Sequence, residues 1–208
     1  MKASEKAVKA GRDMRSRPDK SPSCAPQHPP GELLTSIRTG IGTDLHRLVP
    51  GRKLILGGVR IPFAKGPAGH SDGDALAHAI CDALLGAAAL GDIGRHFPDT
   101  SPRWRDVSSL LFLRHVRKLL EDAGYAIVNV DATVGLERPR LSPHIPRMRK
   151  KLARALGLSA GQVSVKAKTG EGLDAVGRGE AVRADAVALI SRESRVKSRE
   201  VESREVES

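Results

Sequence analysis

The sequence predicts an α/β domain, an α+β sandwich in which a mixed β-sheet carries helices packed on one face. Three observations lead there. Segments that alternate with the two-residue period of a strand, such as "YAIVNVDATVGLE", are interleaved with segments whose apolar residues recur at helical spacing, such as "VSSLLFLRHVRKLLEDAG". Strand-like runs both open and close the patterned region, which allows antiparallel as well as parallel pairing. Aromatic residues make up only 2% of the chain, so the core must be built from Leu, Ile, Val and Ala.

Each element has its own signal. "TSIRTGIGTDLHRL" reads as a first strand. "KLILGGVRIPF" is a hairpin, two β-rich runs around Gly57-Gly58. Ala75–Leu90 reads as a helix, introduced by Ser71 three residues before Asp74 in a capping-box pattern. The amphipathic helix in "VSSLLFLRHVRKLLEDAG" is closed by Gly124. "PHIPRMRKKLARALGL" has proline at its start and helical spacing throughout, which makes a third helix. "QVSVKAKT" and "EAVRADAVALI" are two closing strands.

The patterned region is residues 37–191 of the 208. Residues 1–36 are rich in Pro and Ser and read as a disordered basic tail. They lack the apolar segment of a secretory signal, and their four acidic residues speak against an organelle transit peptide. Residues 192–208 repeat Ser-Arg-Glu-Val-Glu and read as a charged tail. No uncharged apolar run reaches membrane-spanning length, so a soluble, cytoplasmic protein with no membrane partner is expected. Cys24 in the tail and Cys81 in the apolar helix sit in settings too different for a disulfide framework.

The formal net charge is +11, of which the tails account for +3 and zero, leaving +8 on the domain. A nucleic-acid-binding module is one reading of that excess. No aromatic residues interleave a basic stripe, as base stacking would require, and an anionic small molecule suits the same charge.

One constellation carries chemistry. In "GTDLHRL", Asp44 and His46 are two apart, so on a strand they emerge on one face. His78, on the apolar helix, would complete two nitrogens and one oxygen, a catalytic zinc set with a fourth position open. A core histidine bonded to backbone is the competing reading of His78. Asp74 and Asp82 lie four residues to either side of it, and either could orient its imidazole.

"TDLHRL", "LGGVRIPFAKGPAGHSDGDALAHAICDALLGAAALGDIGRHFPDTSP", "PHIPRM" and "VKAKTGEGLDAVGRGEAV" run in one register across residues 37–190. Together they resemble the 2-C-methyl-D-erythritol 2,4-cyclodiphosphate synthase family of the non-mevalonate isoprenoid pathway. The resemblance implies a homotrimer with active sites between subunits. It implies conversion of 4-diphosphocytidyl-2-C-methyl-D-erythritol 2-phosphate to the cyclic diphosphate with loss of CMP. It implies zinc on Asp44, His46 and His78, and a second divalent cation, magnesium or manganese, on Glu171. His70 and Thr169 would support the transition state, and His70 and Ser71 would touch substrate together with Asp44 and His46. Asp92, Ile93 and Gly94 would hold the methylerythritol hydroxyls, beside Phe97, Pro98, Asp99, Thr100 and Ser101.

The same resemblance places the cytidine diphosphate of the substrate, from a neighbouring subunit, on Arg138, Pro139, Arg140, Leu141, Ser142, Pro143 and His144. Lys168, Thr169, Gly170 and Glu171 complete that cradle, with Arg178 on phosphate. Three departures stand out, one being that both tails are extra to the compact family domain. The segment around Lys168 and Gly170 is more often Thr-Thr-rich in the family, and Asp174-Ala175 stands where the family often has Gly-Phe. A metal-dependent phosphohydrolase using the same ligands, with water as nucleophile, is the alternative enzymatic reading.

Overall fold

The structure, a computed structural model, describes residues 35–193. The expectations for the N-terminal tail, for Cys24 and for nearly all of the C-terminal repeat lie outside the described residues. The chain enters on β1 (Thr35–Pro50) and makes a hairpin of β2 (Leu54–Leu56) and β3 (Val59–Ile61). Gly57 and Gly58 turn it with φ of +56° and +69°, the pair of left-handed residues that a tight hairpin turn demands. Then follow β4 (Lys65–Pro67), α1 (Ala75–Ala87), α2 (Ile93–His96) and α3 (Ser109–Asp122). The chain closes with β5 (Ala126–Gly135), α4 (Ile145–Leu156), β6 (Val163–Lys168), α5 (Asp174–Gly177) and β7 (Ala181–Glu193).

The main sheet runs β4-β1-β7-β5-β6, antiparallel except for the β5–β6 pair, so it is mixed as expected. The strand β4 and the short helices α2 and α5 were not anticipated. Three residues reading Lys-Gly-Pro carry no alternation, and four-residue helices carry no periodicity.

The first long helix is shorter than its composition suggests. It ends at Ala87 because Ala89 turns left-handed (φ +58°), with Leu90 N–H donating to Leu85 O at 2.9 Å and Ala89 N–H to Gly86 O at 3.0 Å. These two bonds make a Schellman closure, normally a glycine's task. α4 stops one residue before Gly157 (φ +71°), as its sequence indicates.

The helices cover one face of the sheet, and α1 lies directly on β1 and β7. The contact is backbone on backbone. A Cβ placed on Gly42 would stand 2.1 Å from Ala79 O, and one on Gly40 the same distance from Ala83 O. Across the ladder, β7 offers Ala184, Ala186 and Ala188, all buried, and α1 answers with alanines of its own. Almost the whole of α1 is buried, Cys81 included, and burial pushes that thiol well above its usual pKa. Only His78, Asp82 and Gly86, spaced four apart, reach the surface on one stripe. The opposite face of the sheet leaves Ile37, Ile41, Leu45 and Val187 exposed, with Ile41 directly across from Val187.

Gly42→Ala is therefore expected to cost about 1–3 kcal/mol, because the new methyl must push two backbones apart. Chemical denaturation of the variant against wild type checks it, and an unchanged midpoint would refute the close contact.

Candidate metal centre and its cleft

β1 alternates strictly, so Asp44 and His46 share the face that α1 covers. The short distance that Gly40 and Gly42 permit then brings His78 to them. One ligand atom from each residue lies within 4.8 Å of the others. Asp44 Oδ2 is 3.1 Å from His46 Nδ1 and 3.0 Å from His78 Nδ1. Burial raises the Asp44 carboxyl's pKa, but its contacts with His46 and His78 outweigh that and hold it far below the usual range. For His78 burial works against charge, and Asp44 more than compensates, so its pKa is raised.

His46 Nδ1 is buried and makes no aligned hydrogen bond, although Asp44 lies close enough for ionic attraction. A buried imidazole nitrogen without a partner, a half-buried carboxylate and a second imidazole make a donor set of two nitrogens and one oxygen. That set fits a zinc ion with an open fourth position.

The orientation of His78 corrects the sequence reading. Neither Asp74 nor Asp82 touches its ring. Nε2 lies 2.9 Å from Ser109 Oγ and 3.1 Å from Ser71 Oγ. Ser109 Oγ donates to Asp72 Oδ1 at 2.5 Å, and Ser109 N–H donates to Asp72 Oδ2 at 3.1 Å. Ser71 is not the helix cap. Asp74 is, accepting from Ala77 N–H at 3.1 Å, and it also accepts from Gly57 N–H at 2.9 Å and Gly58 N–H at 2.6 Å. Burial and the nearby Asp72 push the Asp74 carboxyl up to about 6, against the pull of those three N–H groups. Asp82 accepts from Ile93 N–H at 2.7 Å and so holds the start of α2.

Arg52 was missed. Its guanidinium spans the carbonyls of Pro67 (3.2 Å), Gly69 (3.1 Å) and Ser71 (3.1 Å), clamping the loop that carries His70. Asp72, Ser109 and Arg52 act across elements, and no spacing rule links Asp72 to a serine 37 residues on.

A cleft of about 540 Å³ opens over the centre, lined by Asp44, His46, His70, Ser71 and His78. Ile93, Gly94, Phe97, Pro98, Asp99 and Thr100 line it too, with Trp104 and Phe112. Phe97 stacks on Phe112 at 4.3 Å and meets Trp104 edge-on at 5.1 Å, which stiffens this wall. His70 Nε2 donates to Ser101 O at 3.1 Å, while Asp92 caps α2 by accepting from Arg95 N–H at 2.9 Å.

A second cleft, about 600 Å³, gathers Arg138, Pro139, Arg140 and Thr169, together with Phe63 and Glu137. Glu137 was not anticipated; it accepts from Gly170 N–H at 3.0 Å. The Thr169 hydroxyl donates to Glu171, which is exposed and left-handed (φ +52°). Lys168 is exposed, and Arg178 pairs with Glu180 at 3.2 Å. The Leu141 side chain is only 4% exposed and packs in the core, which leaves its backbone groups as those that could meet a ligand. Ser142, Pro143 and His144 form a 3₁₀ turn leading into α4. Among the described residues, His70 and Thr169 line different clefts.

A profile of the YgbB family matches residues 37–191. The 2-C-methyl-D-erythritol 2,4-cyclodiphosphate synthase of Chloroherpeton thalassium is 57% identical over 156 residues, covering 75% of this chain and 99% of that protein. Its namesake from Desulfosudis oleivorans is 58% identical over 163 residues, covering 78% and 97%. A solved 2C-methyl-D-erythritol-2,4-cyclodiphosphate synthase in its CDP-bound form is similar with a TM-score of 0.68 and 44% identity, over 74% of this chain and 99% of that one.

His78→Ala should lose bound zinc while the chain still folds, because α1 is seated by its alanines rather than by the histidine. Metal analysis and circular dichroism of the purified variant decide it, and stoichiometric zinc on a folded variant would remove His78 from the ligand set.

Proposed function

Because the chain belongs to the YgbB family, we propose that it is a 2-C-methyl-D-erythritol 2,4-cyclodiphosphate synthase, converting the 4-diphosphocytidyl 2-phosphate substrate to the cyclic diphosphate and CMP. One observation supports this most: the Asp44–His46–His78 cluster shares a cleft with His70 and Ser71, inside the residues that the family spans. An oxygen of the substrate's 2-phosphate attacks the β-phosphorus of its own diphosphate. The bond from that phosphorus to the oxygen bridging to the α-phosphate breaks, and CMP leaves with the electron pair.

The nucleophile is already anionic, so no strong base is needed. The difficulty is to hold two repelling anionic groups in line, and position supplies most of the acceleration in such cases. The zinc ion on Asp44, His46 and His78 supplies Lewis-acid polarisation of phosphate oxygens when bound. The protein's own groups do the rest. His70, its loop clamped by Arg52 and its Nε2–H held by Ser101 O, stands at the cleft wall as a fixed polar group. Asp92 to Gly94 and Phe97 to Ser101 bind the methylerythritol portion against a stiff aromatic wall.

The cytidine diphosphate portion belongs to the second cleft. Arg138, Arg140 and Lys168 supply positive charge there, and Thr169 a hydroxyl. Glu171 among phosphates would be repulsive without a cation between them, which is the case for a magnesium or manganese ion on it. The two clefts are separate on one chain, and the family resemblance joins them across subunits of a homotrimer. The apolar strip of Ile37, Ile41, Leu45 and Val187 supports burial of that sheet face in an assembly. No helix of the described residues is long and apolar enough to cross a membrane.

Phosphorus NMR of the full chain incubated with the cytidylyl substrate, zinc and magnesium should show one cyclic diphosphate and CMP. Inorganic phosphate in its place would favour the phosphohydrolase and overturn the synthase. Sharing of the site has its own test. His78→Ala and Glu171→Gln should each be inactive alone, but refolded together at equal amounts they should recover about a quarter of wild-type turnover, since random pairing leaves that share of composite sites intact. A mixture as inactive as its parents would refute the shared site.

A further inference from the structure

We propose that Asp72 and Ser109 fix the tautomer of His78, holding its Nε2 protonated so that the Nδ1 lone pair is turned onto the metal. They are positioning residues, and the inference rests on the reading of Asp44, His46 and His78 as a zinc site.

Proton counting carries it. Ser109 has a single hydroxyl hydrogen. Its Oγ lies 2.5 Å from Asp72 Oδ1, and an ionised carboxylate only accepts, so the hydrogen is committed there. What Ser109 Oγ offers to His78 Nε2, 2.9 Å away, is a lone pair, so Nε2 must carry the proton. Ser71 Oγ, at 3.1 Å, is a second acceptor for the same N–H, and its own hydrogen goes to Ser109 Oγ, 3.4 Å away, whose hydrogen is already committed to Asp72. Asp72 is held in turn: Asp74 N–H donates to its Oδ1 at 3.3 Å, and Ser109 N–H to its Oδ2 at 3.1 Å.

A neutral His78 then has its free lone pair on Nδ1, 3.0 Å from Asp44 Oδ2. Two lone pairs do not face each other at that distance without a cation between them. The chain from Asp72 through Ser109 therefore reserves Nδ1 for the cluster. Ser109 is fully buried, so water does not stand in for it.

Asp72 also bonds the first N–H of α3, a task that Ser108 does not perform with its own side chain. A capping role alone would change stability without changing zinc binding, and the test separates the two.

The experiment uses the full chain, zinc-loaded and labelled with ¹⁵N-histidine. Wild type should show a hydrogen on His78 Nε2 and the metal on Nδ1. Asp72→Asn places an NH₂ donor where Ser109 needs an acceptor, and Ser109→Ala removes the link altogether. Each should weaken zinc binding, measured by chelator competition, by about 10–100-fold. Zinc found on Nε2 in wild type would overturn the proposal. So would zinc affinity within about twofold of wild type in the folded variants, even with lowered thermal stability. Should Asp72→Asn not fold, Ser109→Ala decides by the same criterion. A wild-type protein that binds zinc on Nδ1 yet makes no cyclic diphosphate would sink the synthase reading and leave this one standing.

Discussion

The carbonyl of Ala79 occupies the space where a side chain on Gly42 would begin. Most of what this domain does depends on that contact. With any larger residue at 40 or 42, α1 would ride higher on the sheet, and His78 would lift away from Asp44 and His46. The candidate metal ligands come from two elements that are rigid for separate reasons, a strand paired with β7 without a break from Thr35 to Arg47 and a helix buried nearly all round. Their separation is set by atoms that cannot be compressed. A site on two such elements keeps its geometry without a ligand to hold it, which is what preorganisation requires.

Around this contact the protein spends buried polar groups sparingly. Ser71, Asp74 and Ser109 are the buried polar residues among those described, and each is hydrogen-bonded. Asp74 ties the first turn of α1 to the β2–β3 turn through three backbone N–H groups. Ser71 and Ser109 meet the ring of His78 from behind. Nearly every buried side-chain donor and acceptor among the described residues is matched, so the arrangement has one low-energy form rather than several. His46 Nδ1 is the exception, and an unmatched nitrogen aimed into a ligand cluster marks where something is meant to bind.

Much of this was legible in the sequence, for physical reasons. Asp44 and His46 were readable as a pair because a strand's period is two. The hairpin was readable because two adjacent glycines before a β-rich run leave few other options. Hidden were the interactions that cross between elements. Ser71 looked like a cap because its spacing to Asp74 matches one, yet its side chain serves His78. The early end of α1 was hidden because alanine favours helix, and here Ala89 adopts the left-handed turn nevertheless. The burial of the Leu141 side chain was hidden by the motif around it, whose polar and basic neighbours give no apolar period to read. The separation of His70 from Thr169 could not be read from either motif, since each is locally complete.

The unbroken pairing of β1 with β7, from Thr35 opposite Glu193 to Arg47 opposite Ala181, limits how this chain can change length. Deleting or inserting a single residue inside β1 would exchange its two faces. Asp44 and His46 would turn to the outer side, and isoleucine and leucine would be driven against α1 where only glycine fits. The loop just beyond the strand is tied as well, because Arg52 must still reach the carbonyls of Pro67, Gly69 and Ser71. β1 and this loop should therefore vary by substitution while keeping their length.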